Sequence, residues 1–262
     1  MNVCGDFHYG TRGVEKDEIT NALNRATEKA KGNLFRIFTG DNVENALSTS
    51  VGHNYDIAIP DPADQKNDMI DIFKEVTAKQ YGSKYKNFRL PTNTGQQLRV
   101  KAVGVEGNHE YRTRKLTGQW LASEMYREAK IMPLGMHGIV ELTLTNQRLK
   151  MSKTYRIFVA HRPGKTSATS FESILRAFRK KQQGLPGIDA IVFGHYHKRF
   201  VQADGYFDPQ SQVFKKVLYV INPSPMQGAE YAEEAGYPPL EIGHYVNFFL
   251  PLEKNKQPYA LI

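Results

Sequence analysis

Five short apolar runs in this chain each end abruptly in polar side chains, four of them at a glycine. NVCG runs into Asp6 and His8, LFRIFT into Gly40 and Asp41, and the run through Val105 into Gly107, Asn108, His109 and Glu110. YRIFVA runs into His161, and AIVF into Gly194, His195 and His197. Runs this short, rich in β-branched and aromatic residues, favour strands over helices. A buried strand ending this way throws its polar groups out at the carboxyl edge of a sheet, where open α/β folds place their ligands.

Between the runs the period changes. Ile19, Ala22, Leu23, Ala26 and Ala30 recur at helical spacing, as do Met69, Ile72, Phe73 and Val76, and Leu116 to Met125 reads as a further helix. Phe171 to Lys181 is amphipathic, with Ile174, Leu175 and Phe178 inward and Arg176, Arg179, Lys180 and Lys181 on a solvated outer face. Strands are also expected at 139–145, 200–203, 217–221 and 245–250. Strand, helix, strand units of this kind seed a layered α/β fold.

Three stretches lack a steady period: 49–64, 81–97 and 223–241. The second interleaves Lys84, Tyr85, Lys86, Phe88 and Arg89, a mixture that can stack bases and neutralise phosphates, although an ordinary solvated loop with anchoring aromatics explains it more simply. The expectation is one domain over residues 1–262, with insertions near 49–64 and 81–97.

Composition sets the boundaries. With 40% hydrophobic residues, the chain can bury one large core, and no apolar run approaches a membrane span. A single cysteine, Cys4, excludes an intrachain disulfide or a thiolate cluster. The first motif begins at Gly5, leaving no room for a signal peptide, so a cytoplasmic protein with no membrane partner is expected. A net charge of +8 suits polyanionic partners, nucleic acid or nucleotides among them.

Histidines, aspartates and an asparagine at successive strand ends suit the holding of two divalent cations. Imidazole, carboxylate and carboxamide donors without thiolate favour Mn foremost, with Fe, Zn, Co or Ni also suited. Asp6 and His8 are two residues apart, so both reach one ion from a turning strand end, and His195 and His197 repeat the spacing. Asp41 can bridge two ions, Asn108 adds a neutral oxygen, and His109 is then free to bind a phosphate or protonate a leaving oxygen. Two metals sharing a water can drive an in-line displacement at phosphorus.

The order GDxH, GD, GNHE, H, GHxH resembles the calcineurin-like metallophosphoesterase family, and the motifs span Gly5 to His197. The resemblance implies a four-layer α/β sandwich, two mixed β-sheets packed face to face with helices outside. It implies Asp6, His8 and His197 on one metal, Asn108, His161 and His195 on the other, Asp41 between them, and His109 as general acid. INPSP at 221–225 is similar to the NPGS turn that often follows GHxH in this family.

Departures narrow the reading. Glu44 stands in the last place of GDxxD, where a structural role is expected. Ala46 and Glu106 replace the arginines that protein Ser/Thr phosphatases carry, and Glu44 is not the tyrosine iron ligand of purple acid phosphatases.

The expected function is hydrolysis of phosphodiesters by a metal-bridging hydroxide, in a nuclease acting on DNA or RNA. A phosphomonoesterase or small-nucleotide phosphodiesterase is the alternative within enzymes, and a non-catalytic nucleic-acid-binding subunit the alternative outside them. Arg112, Arg114 and Arg162 are candidate substrate-binding residues, set against the plainer reading of surface arginines. Lys115 belongs with them, because cations in the first turn of a helix oppose its dipole. Glu110 is expected to buttress its loop, and His53, His137 and His244 to make surface or core contacts.

Overall fold

The structure, a computed structural model, describes residues 1–31, 33–46, 56–86, 90, 100–163, 170–208, 211–226, 242–253 and 256–259. Among them lie two five-stranded mixed sheets. The first takes β1 (Asn2–Cys4), β2 (Arg36–Phe38), β3 (Ala102–Gly104) and β4 (Met132–Pro133), all parallel, with β10 (Val246–Asn247) antiparallel beside β1. The second runs in the order β5 (His137–Asn146), β6 (Met151–Ala160), β7 (Ala190–Phe193), β9 (Val213–Ile221), β8 (Phe200–Asp208). Its middle pairs are parallel and its outer two are antiparallel hairpins.

The two-residue side-chain period of each strand builds the layers. Val3, Ile37 and Val103 face Ile157, Val159, Val192 and Val220 in the core between the sheets. Their neighbours Cys4, Phe38 and Ala102 point the other way, against α1 (Lys16–Lys29), α2 (Pro62–Tyr81) and α4 (Leu121–Glu128). On the far side Phe158, Ile191, Phe193 and Tyr219 meet α5 (Phe171–Gln183), whose Phe178 stacks on Tyr219 with ring centroids 4.7 Å apart. The layering is therefore helices, sheet, sheet, helix, and the central strands read as continuous apolar runs because both of their faces are covered.

Several boundaries move. Pro62 opens α2, its fixed φ suited to the first turn, and the Asp61 side chain caps Ala63 N–H, so the stretch expected to stay irregular to residue 64 ends earlier. Residues 49–55 of that stretch lie outside the described residues, as do 87–89 and 91–97 of the second and 227–241 of the third. Tyr81 closes α2, and Gly82–Lys84 forms a 3-10 turn.

The helix expected over 116–125 is two helices. α3 (Asn108–Thr117) begins inside the GNHE turn itself, stops at Gly118 with φ +77°, and α4 restarts at Leu121. Arg114 and Lys115 thus fall in the last turn of α3, where cations complement the dipole, and the misfit that suggested a substrate role disappears.

Close packing around β3 is testable. A Cβ on Gly104 would stand 2.4 Å from Cζ of Tyr126, a buried ring whose hydroxyl donates to Val105 O and accepts from Asn42 Nδ2. Gly104→Ala is expected to destabilise by about 1–3 kcal/mol through overpacking, read as a lower urea midpoint with unchanged slope.

Candidate metal centre

The strand ends of both sheets meet at one edge. β1 delivers Asp6 and His8, β2 delivers Asp41, and β3 delivers Asn108 as the first residue of α3; β6 ends at His161 and β7 at His195 and His197. Asp6, His8, Asp41 and His161 are buried, and Asn108, His195 and His197 half-buried. Three overlapping groups of donors can hold a metal ion: Asp6, His8 and His197; His8, Asp41 and His109; and Asp41, His161 and His195. Asp41 and His8 each belong to two of them.

Five of these residues sit in the left-handed region of backbone space: Asp6 and His8 at φ +49°, Asp41 at +48°, His195 at +72° and His197 at +51°. Each such conformation costs about 1–3 kcal/mol for a residue other than glycine and persists only where its surroundings over-determine it. Those surroundings are on hand. Asn222, fully buried, donates to Asp6 Oδ2 (2.9 Å) and Gly5 O, and accepts from Thr39 Oγ1. Ser224 Oγ donates to Asp6 O at 2.6 Å, and His195 N–H donates to Asp6 Oδ1 at 2.7 Å.

Glycine permits the closest approach. A Cβ on Gly40 would lie 2.4 Å from Gly107 N, so the GD and GNHE loops touch backbone to backbone. Glu110 joins them, its buried carboxylate accepting from Gly107 N (3.0 Å), Asp41 N (3.1 Å), Asn42 N (2.6 Å) and Asn42 Nδ2 (2.9 Å). This is the buttressing role expected for it.

Outer partners orient the rings. His8 Nδ1–H donates to Glu44 Oε2 at 2.7 Å and His161 Nδ1–H to Thr39 O at 2.9 Å, which turns both Nε2 atoms inward. His8 Nε2 lies 3.0 Å from His197 Nε2, and His161 Nε2 is 3.1 Å from Asp41 Oδ2 and 2.9 Å from Asn108 Oδ1. Two ring nitrogens facing each other need a cation or a proton between them, so the donor set fits divalent metal.

The protonation pattern reflects the same crowding. Burial lowers the His8 and His161 pKa values, but carboxylates outweigh it and raise both to about 9, Glu44 first at His8 and Asp41 first at His161, with Asp6 adding to each. His195 falls to about 4 through burial and the neighbouring His161 charge, and His197 falls through burial and His8. Burial raises Asp6 to about 6; at Asp41 burial is overridden by His161, His109 and His8, which hold it well below the usual carboxylate range. For Glu44 the hydrogen bonds of His109 and His8 overcome burial and hold it at about 2.

His109 faces this group from α3. Its N–H donates to Asp41 Oδ1 at 2.8 Å, its Nδ1–H to Glu44 O at 2.6 Å, and Arg112 Nη2 approaches its Nε2 at 3.2 Å. Arg162, directly after His161, is exposed, and its charge is felt at His195. Arg114 departs from expectation. Its guanidinium pairs with buried Glu106 at 3.0 Å and lies over the rings of Tyr111 and Trp120, so its charge is taken up in structural contacts.

Glu44, Asn222, Ser224 and Thr39 were not singled out as parts of the site by sequence reasoning. For Glu44 the GDxxD spacing was the available signal, and for Asn222 the INPSP turn. Of the remaining histidines, His244 pairs with Glu18 at 3.4 Å, and His53 lies outside the described residues.

Because Glu110 accepts only from N–H groups, Glu110→Gln places an amide against donors it does not complement. Manganese affinity by titration calorimetry is expected to fall about 10–100-fold; undiminished affinity would remove Glu110 from the support of the site. Chelation of the wild type is expected to lower its melting temperature, and manganese at about 100 times its Kd to restore about 2.7 kcal/mol. Asp41→Asn should lose most of that gain.

Among the described residues no helix is long and apolar enough to cross a membrane. Comparison with curated protein sequences returns no match. The family profile described as calcineurin-like phosphoesterase matches residues 2–199, which takes in every strand end of the cluster. With that match and this arrangement of donors, the chain belongs to the calcineurin-like phosphoesterase family.

Proposed function

We propose that the chain is a dinuclear metal-dependent phosphodiesterase acting on nucleic acid or nucleotides, a nuclease of the cytoplasm working with manganese. The observation that carries it is the convergence of imidazole, carboxylate and carboxamide donors from both sheets, with Arg112 and Arg162 beside them. Asp6, His8 and His197 would hold one cation, Asn108, His161 and His195 the other, and Asp41 both. When bound, the cations supply Lewis acidity and a water of lowered pKa.

The chain's own groups do the rest. His109, held by Glu44 O and Asp41 Oδ1, would take a second proton at Nε2 as Arg112 leaves it for the phosphate, and give that proton to the leaving oxygen. The Glu44 carboxylate, 3.3 Å from Nδ1, is the counter-charge of that ring when it carries two protons. Arg112 and Arg162 bind the non-bridging phosphate oxygens, and the positive end of α3 adds to their field. Arg114, paired with Glu106, has no part in this. The net charge of +8 supports a polyanionic substrate.

A phosphomonoesterase is the second reading, supported by the small size of the adjoining cavity, ≈260 Å³.

The test offers metal-stripped, manganese-reloaded protein bis-p-nitrophenyl phosphate, p-nitrophenyl phosphate, and single- and double-stranded DNA and RNA. Metal-dependent, salt-suppressed cutting of nucleic acid is expected, with His109→Ala slower by about 10²–10⁴-fold and Asp41→Asn silent. Turnover of the monoester alone would select the second reading, and silence on every ester would sink both.

A further inference from the structure

Beside the donor cluster lies a cavity of ≈260 Å³ whose wall includes Asn108 and His161, so it opens directly on the reacting position. Three aromatic side chains share its lining, Tyr111 from α3, His137 from β5 and Phe158 from β6, with the His137 and Phe158 rings 5.9 Å apart. Met136 stands at the edge, half exposed at 50%, an apolar side chain with no core to fill. A pocket below the ~300–1,000 Å³ of whole-ligand sites takes one planar group.

The aromatic wall is preset. Arg114 lies 4.5 Å over the Tyr111 ring and 3.9 Å over Trp120, and its tie to Glu106 holds that stack in place. Two cations complete the lining. Arg162 has no ion-pair partner among the described residues, and Lys181, expected on a solvated helix face, rests its ammonium 4.5 Å over Phe158. The lining carboxylate, Glu106, is only 5% exposed and engaged by Arg114. Rings for stacking, cations and no free carboxylate suit a flat heteroaromatic group joined to phosphate.

We propose that this cavity is a nucleobase subsite, stacking on Tyr111 the base of the nucleotide whose phosphate lies at the donor cluster. The inference deepens the phosphoesterase reading and rests on it for the position of the phosphate. It makes Tyr111, His137 and Met136 specificity residues and turns Arg162 and Lys181 towards the phosphate side of the same nucleotide.

Titration calorimetry with adenosine 5′-monophosphate, ribose 5-phosphate and phenylphosphonate, each with and without manganese, tests it without relying on turnover. The nucleotide is expected to bind at least about tenfold tighter than ribose 5-phosphate, the scale of one base stacked on one ring. Tyr111→Ala and His137→Ala should each shrink that preference several-fold, whereas Tyr111→Phe should retain it; the conservative pair keeps the result readable if the alanine variant folds poorly. Phe214→Ala, on the distant β8–β9 hairpin, should leave it unchanged.

Equal binding of nucleotide and ribose 5-phosphate would overturn the subsite. So would phenylphosphonate bound as tightly as the nucleotide with the same dependence on Tyr111, which marks a general aryl-ester pocket. Metal-dependent ester hydrolysis with no base preference would leave the phosphoesterase reading standing and the subsite gone. A Tyr111-dependent base preference in a protein that hydrolyses no ester would do the reverse.

Discussion

The Glu110 carboxylate is the interaction on which the rest of the site depends. Buried and surrounded by the N–H groups of Gly107, Asp41 and Asn42 and the Asn42 amide, it holds the ends of β2 and β3 in register. Unmade hydrogen bonds of buried donors are expensive, so one anion satisfying four donors is worth more than its Coulomb energy suggests. Burial and the nearby Asp41 charge push the Glu110 pKa upward, while the Asn42 N–H pulls it down. Those loops touch backbone to backbone at Gly40 and Gly107, and any looser tie would let Asp41 drift from the middle of the donor cluster.

Strain is concentrated where the chemistry is. Asp6, His8, Asp41, His195 and His197 are held with positive φ, and each is pinned by a partner elsewhere in the chain. Asn222 illustrates how. It arrives from the end of β9, more than two hundred residues after Asp6, and binds both the side chain and the preceding carbonyl. The core between the sheets makes this possible, because only face-to-face packing sets the ends of β1 and β9 beside each other.

Electrostatics divides the arginines by their surroundings. Arg162 lines the cavity and has no ion-pair partner among the described residues, whereas Arg114 is consumed by Glu106 and two rings. Glu44 likewise serves two histidines at once, His8 through its carboxylate and His109 through both its carbonyl and its carboxylate. Neither division of labour depends on residue type, since a lone arginine or glutamate in a sequence carries no record of what faces it.

The sequence by itself determined the strand ends and their donors, because a glycine next to a polar residue after a β-branched run is a local pattern with a local cause. The core faces were legible for the same reason, as in Ala190–Phe193, where successive side chains divide between two cores. Helix boundaries near GNHE were not: α3 begins within the turn because Gly107 and Glu110 close its first turn against the neighbouring loop, a contact made across 68 residues. Tertiary structure alone decided that Asn222 clamps Asp6, that Arg114 pairs with Glu106, and that Tyr111, His137 and Phe158 share one cavity beside the site. Those outcomes depend on which side chains two packed sheets bring together, and residues far apart in the chain hold no mark of that meeting until the layers close.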